Sequence, residues 1–80
     1  MTNREKYNQG FTESMTIDAS RLNDQLAYNT IPEWDSISHM ALIAALEDAF
    51  SISLDTDDII DFSSYQKGIE ILKKYKVEIE

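Results

Sequence analysis

The sequence predicts an all-α domain, a small four-helix bundle of three main helices and one short helix, with a long loop between helices 1 and 2. Three observations carry this prediction. Apolar residues recur at helical spacing in three segments: Tyr7, Phe11 and Met15; Leu42, Leu46 and Phe50; Tyr65, Ile69 and Leu72. Helix-start chemistry stands before each segment, with capping-box spacing at Thr2/Glu5 and Ser63/Gln66 and an aspartate N-cap at Asp35. Between the first two segments, residues 16–34 mix turn formers with spaced apolar residues and end near Pro32.

The first helix starts near Thr2 and ends between Glu13 and Ile17, weakened by Gly10, which costs roughly 1 kcal/mol relative to alanine. In the loop that follows, Ile17, Leu22, Leu26, Tyr28 and Ile31 suggest a segment pinned to the core, with a short helical turn around Ser20 to Leu26. Pro32 holds Ile31 extended, so no helix runs through that point. The second helix, Ser36 to Phe50, is the clearest element: Leu42, Ile43, Leu46 and Phe50 form its core stripe, and alanines at 41, 44, 45 and 49 allow close approach of neighbours. A short third helix is expected near Asp57 to Phe62. In the fourth, Tyr65, Ile69, Leu72 and the stem of Lys76 share a face flanked by Ile71 and Tyr75, and Lys73, Lys74 and Lys76 suit the negative end of the dipole.

Eighty residues form one domain, 1–80, near the lower limit for a self-sufficient core. A chain this short has room for a cleft between helices but not for a chamber around a large substrate. A module on which other proteins act fits the length better than an enzyme. The absence of cysteine excludes disulfides and thiolate metal sites. Met1 to Gly10 contain no apolar run of the signal-peptide kind, and the longest apolar run, Met40 to Leu46, is too short to span a bilayer. A soluble, cytoplasmic monomer is the expectation.

The formal charge is −8, and no lysine or arginine occurs between Leu22 and Gln66, a stretch holding nine acids. A surface of one sign repels nucleic acid and anionic membrane and steers basic partners inward; simple solubility is the plainer use of the same charge.

Several residues invite a functional reading. Asp55, Asp57, Asp58 and Asp61 suggest calcium, but a calcium loop counted from Asp55 needs glycine at Ile60 and glutamate at Gln66. An acidic helix start explains them better. His39 follows Ser36 by three residues, which raises a Ser–His nucleophile pair, yet no orienting acid or oxyanion hole accompanies it. A solvent-facing histidine beside a binding site is the better reading. Trp34, the only tryptophan, reads as a loop aromatic packing over helix ends more readily than as a partner anchor. Ile37, Met40 and Ala44 form a second apolar stripe on helix 2, and periodicity does not decide whether it is buried or used for binding. Ser36 opens helix 2, where an anion attached to its hydroxyl would meet free backbone N–H groups and the positive end of the dipole. Serine and aspartate are also ordinary helix-start residues.

The run Asp35-Ser36-Ile37 followed by Met40-Ala41-Leu42-Ile43-Ala44-Ala45-Leu46-Glu47-Asp48-Ala49-Phe50 closely resembles the second helix of acyl carrier proteins, with their Asp-Ser-Leu start and Leu-Glu-Glu-x-Phe-like end. The likeness continues through Ile52-Ser53-Leu54-Asp55, Ile59, Phe62-Ser63-Ser64-Tyr65 and Ile69, about 35 residues from Trp34 without gaps. The first helix and long loop match in length and apolar placement only. The resemblance implies an acyl-carrier-like fold with 4′-phosphopantetheine attached to Ser36 by a phosphopantetheinyl transferase, the neighbouring Asp35 helping to hold magnesium during transfer. It further implies a protein that catalyses nothing itself. Its acyl or aminoacyl group, held as a thioester, would be loaded by a ligase and used by acyl transferases or synthases that read Ile37, Met40, Ala44, Glu47 and Asp48. Ser38, Ala41 and Ala49 stand where fatty-acid carriers have further acids, and Glu33 where a glycine is common. These departures point to a specialised carrier, such as those of surface polysaccharide, aminoacyl or secondary-metabolite pathways. The competing expectations are an unmodified acidic interaction module and a small Ser36/His39 hydrolase.

Overall fold

Thr2 and Glu5 exchange hydrogen bonds as a capping box: Thr2 Oγ1 accepts the Glu5 amide at 3.1 Å, and Glu5 Oε1 accepts the Thr2 amide at 2.9 Å. That box opens the first helix in a computed structural model that describes residues 2–79. Four α-helices follow in order: α1 (Asn3–Met15), α2 (Ser36–Phe50), α3 (Thr56–Asp61) and α4 (Tyr65–Lys74). There is no β-strand among the described residues; an isolated antiparallel bridge joins Ala27 to Ser64. The all-α bundle read from the sequence is the fold observed.

The α1–α2 pair is the framework. Tyr7, Phe11 and Met15 bury one face of α1 against Leu42 and Leu46 of α2, all within the core cluster. Gly10 brings the two helices together, since a Cβ there would lie 2.9 Å from Leu46 Cδ2. Its low helix propensity is thus offset by close packing. Of the four alanines of α2, however, only Ala45 is half-buried; Ala41, Ala44 and Ala49 face solvent, so they do not mediate helix contacts as expected.

The long connection is pinned as its spacing implied at four of its five apolar positions, Tyr28 being exposed. Ile17 and Leu26 are buried, and Leu22 and Ile31 pack against the core. Arg21 and Glu33 close the loop by an ion pair of 2.8 Å. The helical turn in it is shorter and earlier than expected, a 3₁₀ turn over Ala19–Arg21, because Asp18 caps it through the Ser20 amide.

Two boundaries shift by one residue: the third helix lies one residue earlier than expected, over Thr56–Asp61, and the fourth starts one residue later. The fourth helix is capped by Ser64, whose Oγ accepts the Lys67 amide at 2.9 Å, and not by Ser63. The Ser63 carbonyl instead accepts the Tyr28 amide at 2.8 Å, and the Leu26 carbonyl accepts the Tyr65 amide at 2.9 Å. This long-range pairing between the loop and the α3–α4 connection selects the second serine. The buried face of α4 runs through Tyr65, Gly68, Ile71 and Leu72, with Ile69 and Tyr75 half-buried and Lys76 exposed. Gly68 is essential to it: a Cβ there would overlap Phe62 Cζ and Tyr7 Oη.

Asp58 departs most from its sequence reading. It is 6% exposed and points into the α3–α4 contact, where Lys74 Nζ and Tyr75 Oη donate to its two carboxylate oxygens, each at 2.5 Å. These two donors, the ammonium first, hold its carboxyl below the usual aspartate range. It serves as a strut between helices, beyond the dipole role expected of the whole acidic run.

Candidate functional site

Asp35 fixes the start of α2. Its Oδ1 accepts the Ile37 and Ser38 amides at 3.1 and 2.9 Å, and Ser38 Oγ accepts the Asp35 amide at 3.0 Å while donating to the Glu33 carbonyl at 2.6 Å. The amide of Ser38, its side chain and the Ile37 amide together lower the Asp35 pKa. This reciprocal box explains why Ser38, which stands where the resemblance would place an acid, is buried instead. Asp35-x-x-Ser38 has the spacing of a capping box, with serine in place of the usual glutamate or glutamine.

The box also corrects one expectation about Ser36. The Ile37 and Ser38 amides are already satisfied by Asp35, so an anion on Ser36 does not find them free. What remains is position. Ser36 is the first residue of α2, exposed, and lines an apolar groove of about 340 Å³ between the first turns of α2, the α3 segment and Tyr28. Met40 and Ile60 are the most exposed apolar members of its lining, at 56% and 72%, Tyr28 is exposed to a lesser degree, and Phe62 is buried at its base.

His39 lies in the same groove but is not solvent-facing. It is half-buried, with Nδ1 3.0 Å from Trp34 Nε1 and Nε2 2.9 Å from the Ile59 carbonyl oxygen. An indole N–H only donates and a carbonyl only accepts, so Nδ1 accepts from Trp34 and Nε2 donates to Ile59. Neither ring nitrogen is left to take a proton from Ser36. Trp34 itself is fully buried, side by side with His39 (ring centroids 6.1 Å apart, 21° between planes) and edge-on to Phe11 at 5.4 Å. It belongs to the core, more deeply than a loop aromatic over helix ends would.

The ambiguity of the second α2 stripe is resolved. Ile37 is 81% exposed, Met40 56%, and Ala44 faces solvent with them. Asp48 is exposed beside the same stripe. Glu47 is half-buried and acts within the fold, where its Oε2 accepts the Leu54 amide at 2.8 Å and so orders the α2–α3 connection. Five side chains expected to form one recognition face therefore divide into four that are exposed and one partly engaged within the fold. Among the described residues no three acidic or histidine side chains converge as a metal site. No helix of the described chain is long and apolar enough to cross a membrane. Comparison with protein-family models, curated proteins and solved structures finds no match to this chain, so its function is read from its own residues.

Proposed function

We propose that this chain is a carrier protein of the acyl carrier class: Ser36 takes 4′-phosphopantetheine from coenzyme A, and the arm presents an acyl or aminoacyl thioester to partner enzymes. One observation carries the reading. The serine of the Asp35-Ser36-Ile37 motif stands exposed at the first position of α2, on an apolar groove and beside the exposed Ile37 and Met40. An exposed apolar patch next to a modifiable hydroxyl suits a surface that a transferase and later enzymes must approach. Transfer would proceed by attack of the Ser36 hydroxyl on the β-phosphorus of coenzyme A; the P–O bond to adenosine 3′,5′-bisphosphate breaks and the hydroxyl proton is lost. Asp35 has one oxygen occupied by the helix cap, which leaves Oδ2 as the atom for the transferase's magnesium.

The partners in this reading are a phosphopantetheinyl transferase, a loading ligase, and transferases or synthases that use the cargo. Ile37, Met40, Ala44 and Asp48 form the contact face, with Glu47 contributing at its edge. The commitment of both His39 nitrogens favours a carrier over a Ser36/His39 hydrolase. The test is intact-mass measurement after incubation with coenzyme A and a broad-specificity phosphopantetheinyl transferase. One phosphopantetheine per chain is expected, and none on Ser36→Ala, with unchanged far-UV circular dichroism. An unmodified wild-type chain supports the acidic interaction module instead, and an arm on the Ser36→Ala chain assigns the wrong serine.

A further inference from the structure

Resting on the carrier reading, we infer the chemistry of the partner surface that docks beside Ser36: an apolar centre ringed by lysine and arginine. The large apolar side chains that stand exposed among the described residues are Tyr28, Ile37, Met40 and Ile60. They are gathered in one place. Tyr28, Met40 and Ile60, from the long loop, α2 and α3, line the same groove, and Ile37 precedes Met40 by three residues on one face of α2. Ala41 and Ala44, both exposed, extend the patch along that face at helical spacing. A cluster of this kind on a small acidic domain marks a contact surface.

The charges keep to the edge of the patch. From Ser36 to Leu46 there is no aspartate, glutamate, lysine or arginine. Asp35 and Asp48 stand exposed before and after that run, and Asp57, exposed on α3, is three residues from Ile60 and so on its side of the helix. Glu47 adds less to the rim, because its Oε2 accepts the Leu54 amide. An apolar centre with a charged rim is the usual anatomy of a protein interface. Here the rim has one sign, and that sign selects the occupant. A second copy of this chain, of net charge −8, would set two acidic rims against each other. A basic rim around an apolar centre meets both parts. The two parts then act differently: rim charges work at a distance and set the rate of encounter, whereas the buried apolar contacts set the lifetime of the complex. Ile60 and Tyr28 thereby join the α2 face as partner contacts, although they lie on other elements of the fold.

The probe is a broad-specificity phosphopantetheinyl transferase, binding the chain in surface plasmon resonance without coenzyme A, beside the intact-mass assay with coenzyme A. Raising salt from about 50 to about 500 mM should slow association on the order of tenfold and change dissociation by less than about twofold. Asp48→Asn combined with Asp57→Asn should slow association about threefold at low salt and leave dissociation as it is. Ile37→Ser, Met40→Ser and Ile60→Ser should each speed dissociation, on the order of tenfold for Met40, which lies between the other two, with the association rate kept. These side chains are exposed, so far-UV circular dichroism should coincide with that of the wild type. If the complex is too short-lived to resolve, the KM of the transferase for each chain carries the same comparison, rising in the serine variants at every salt concentration. Dissociation that quickens with salt, or that ignores all three serine variants, overturns the inference, while an arm on the wild-type chain leaves the carrier reading standing. A chain that sediments as a dimer, and as a monomer in Met40→Ser, makes the patch a self-contact and also overturns the inference. A wild-type chain that gains no arm overturns the carrier reading and this inference together.

Discussion

The α1–α2 pair and the α3 segment sit side by side and are held in different ways. Between α1 and α2 the contact is apolar: Tyr7, Phe11 and Met15 against Leu42 and Leu46, with Gly10 drawing the backbones together. Of the six-residue α3 only Asp58 is fully buried, Ile59 is half-buried against the core, and no side chain caps its N-terminus. It is held by polar clasps, His39 to the Ile59 carbonyl on one side and Lys74 and Tyr75 to Asp58 on the other, while Phe62 just beyond it plugs the core. Apolar packing responds to volume and supports the whole domain cooperatively. Polar clasps depend on geometry and charge, and losing one loosens a segment locally. The groove beside Ser36 is bounded by one region of each kind, apolar packing behind its α2 wall and polar clasps behind its α3 wall.

The largest effect is expected in the apolar region. Leu46 is fully buried and touches the Gly10 backbone position, and Leu46→Ala should cost about 2–5 kcal/mol, comparable to the entire stability of a small domain. Urea or thermal unfolding followed by circular dichroism should show global loss of helix. A mild, local effect would break the distinction drawn between the two regions.

A smaller, local effect is expected at Asp58. Asp58→Asn keeps the shape but removes the charge that Lys74 meets, and hydrogen exchange should accelerate in residues 56–61 more than in α1 or α2. The sign with pH follows from the lowered carboxyl. A group whose folded pKa is depressed stabilises the fold above its unfolded value, near 3.8 for aspartate, and that contribution is lost as pH falls through the lower folded value. The stability difference between wild type and Asp58→Asn should therefore be constant at neutral pH and shrink as pH drops below that value. Asp35, lowered by its own cap bonds, remains in both proteins and keeps part of the acid sensitivity. Equal protection of α3 in both chains would mean that the Asp58 clasp is dispensable.

The smallest effect belongs to the exposed stripe. Met40→Ala should change stability by less than roughly 1 kcal/mol, since the side chain is 56% exposed. Urea unfolding beside Leu46→Ala makes the comparison directly. A loss as large as that of Leu46→Ala would move Met40 into the core and the contact face elsewhere on α2.

Features that depend on neighbours within about one helical turn were legible in the chain alone. The start of α1 could be read from Thr2 and Glu5, the start of α2 from Asp35, and the buried stripe from Leu42 and Leu46, because capping and 3.6-residue spacing are local rules. The exposed position of Ser36 followed from the same cap. Features that need a distant partner were settled by folding. The serine that caps α4 depends on Leu26 and Tyr28, far earlier in the chain. His39 is turned inward by Trp34 and by the Ile59 carbonyl, 20 residues away, and Asp58 is drawn in by Lys74, 16 residues away. Helix α2 carries apolar residues on two faces, and periodicity is blind to which of them finds a neighbour. Only the assembled bundle, by covering Leu42 and Leu46 and leaving Ile37 and Met40 open, made that choice.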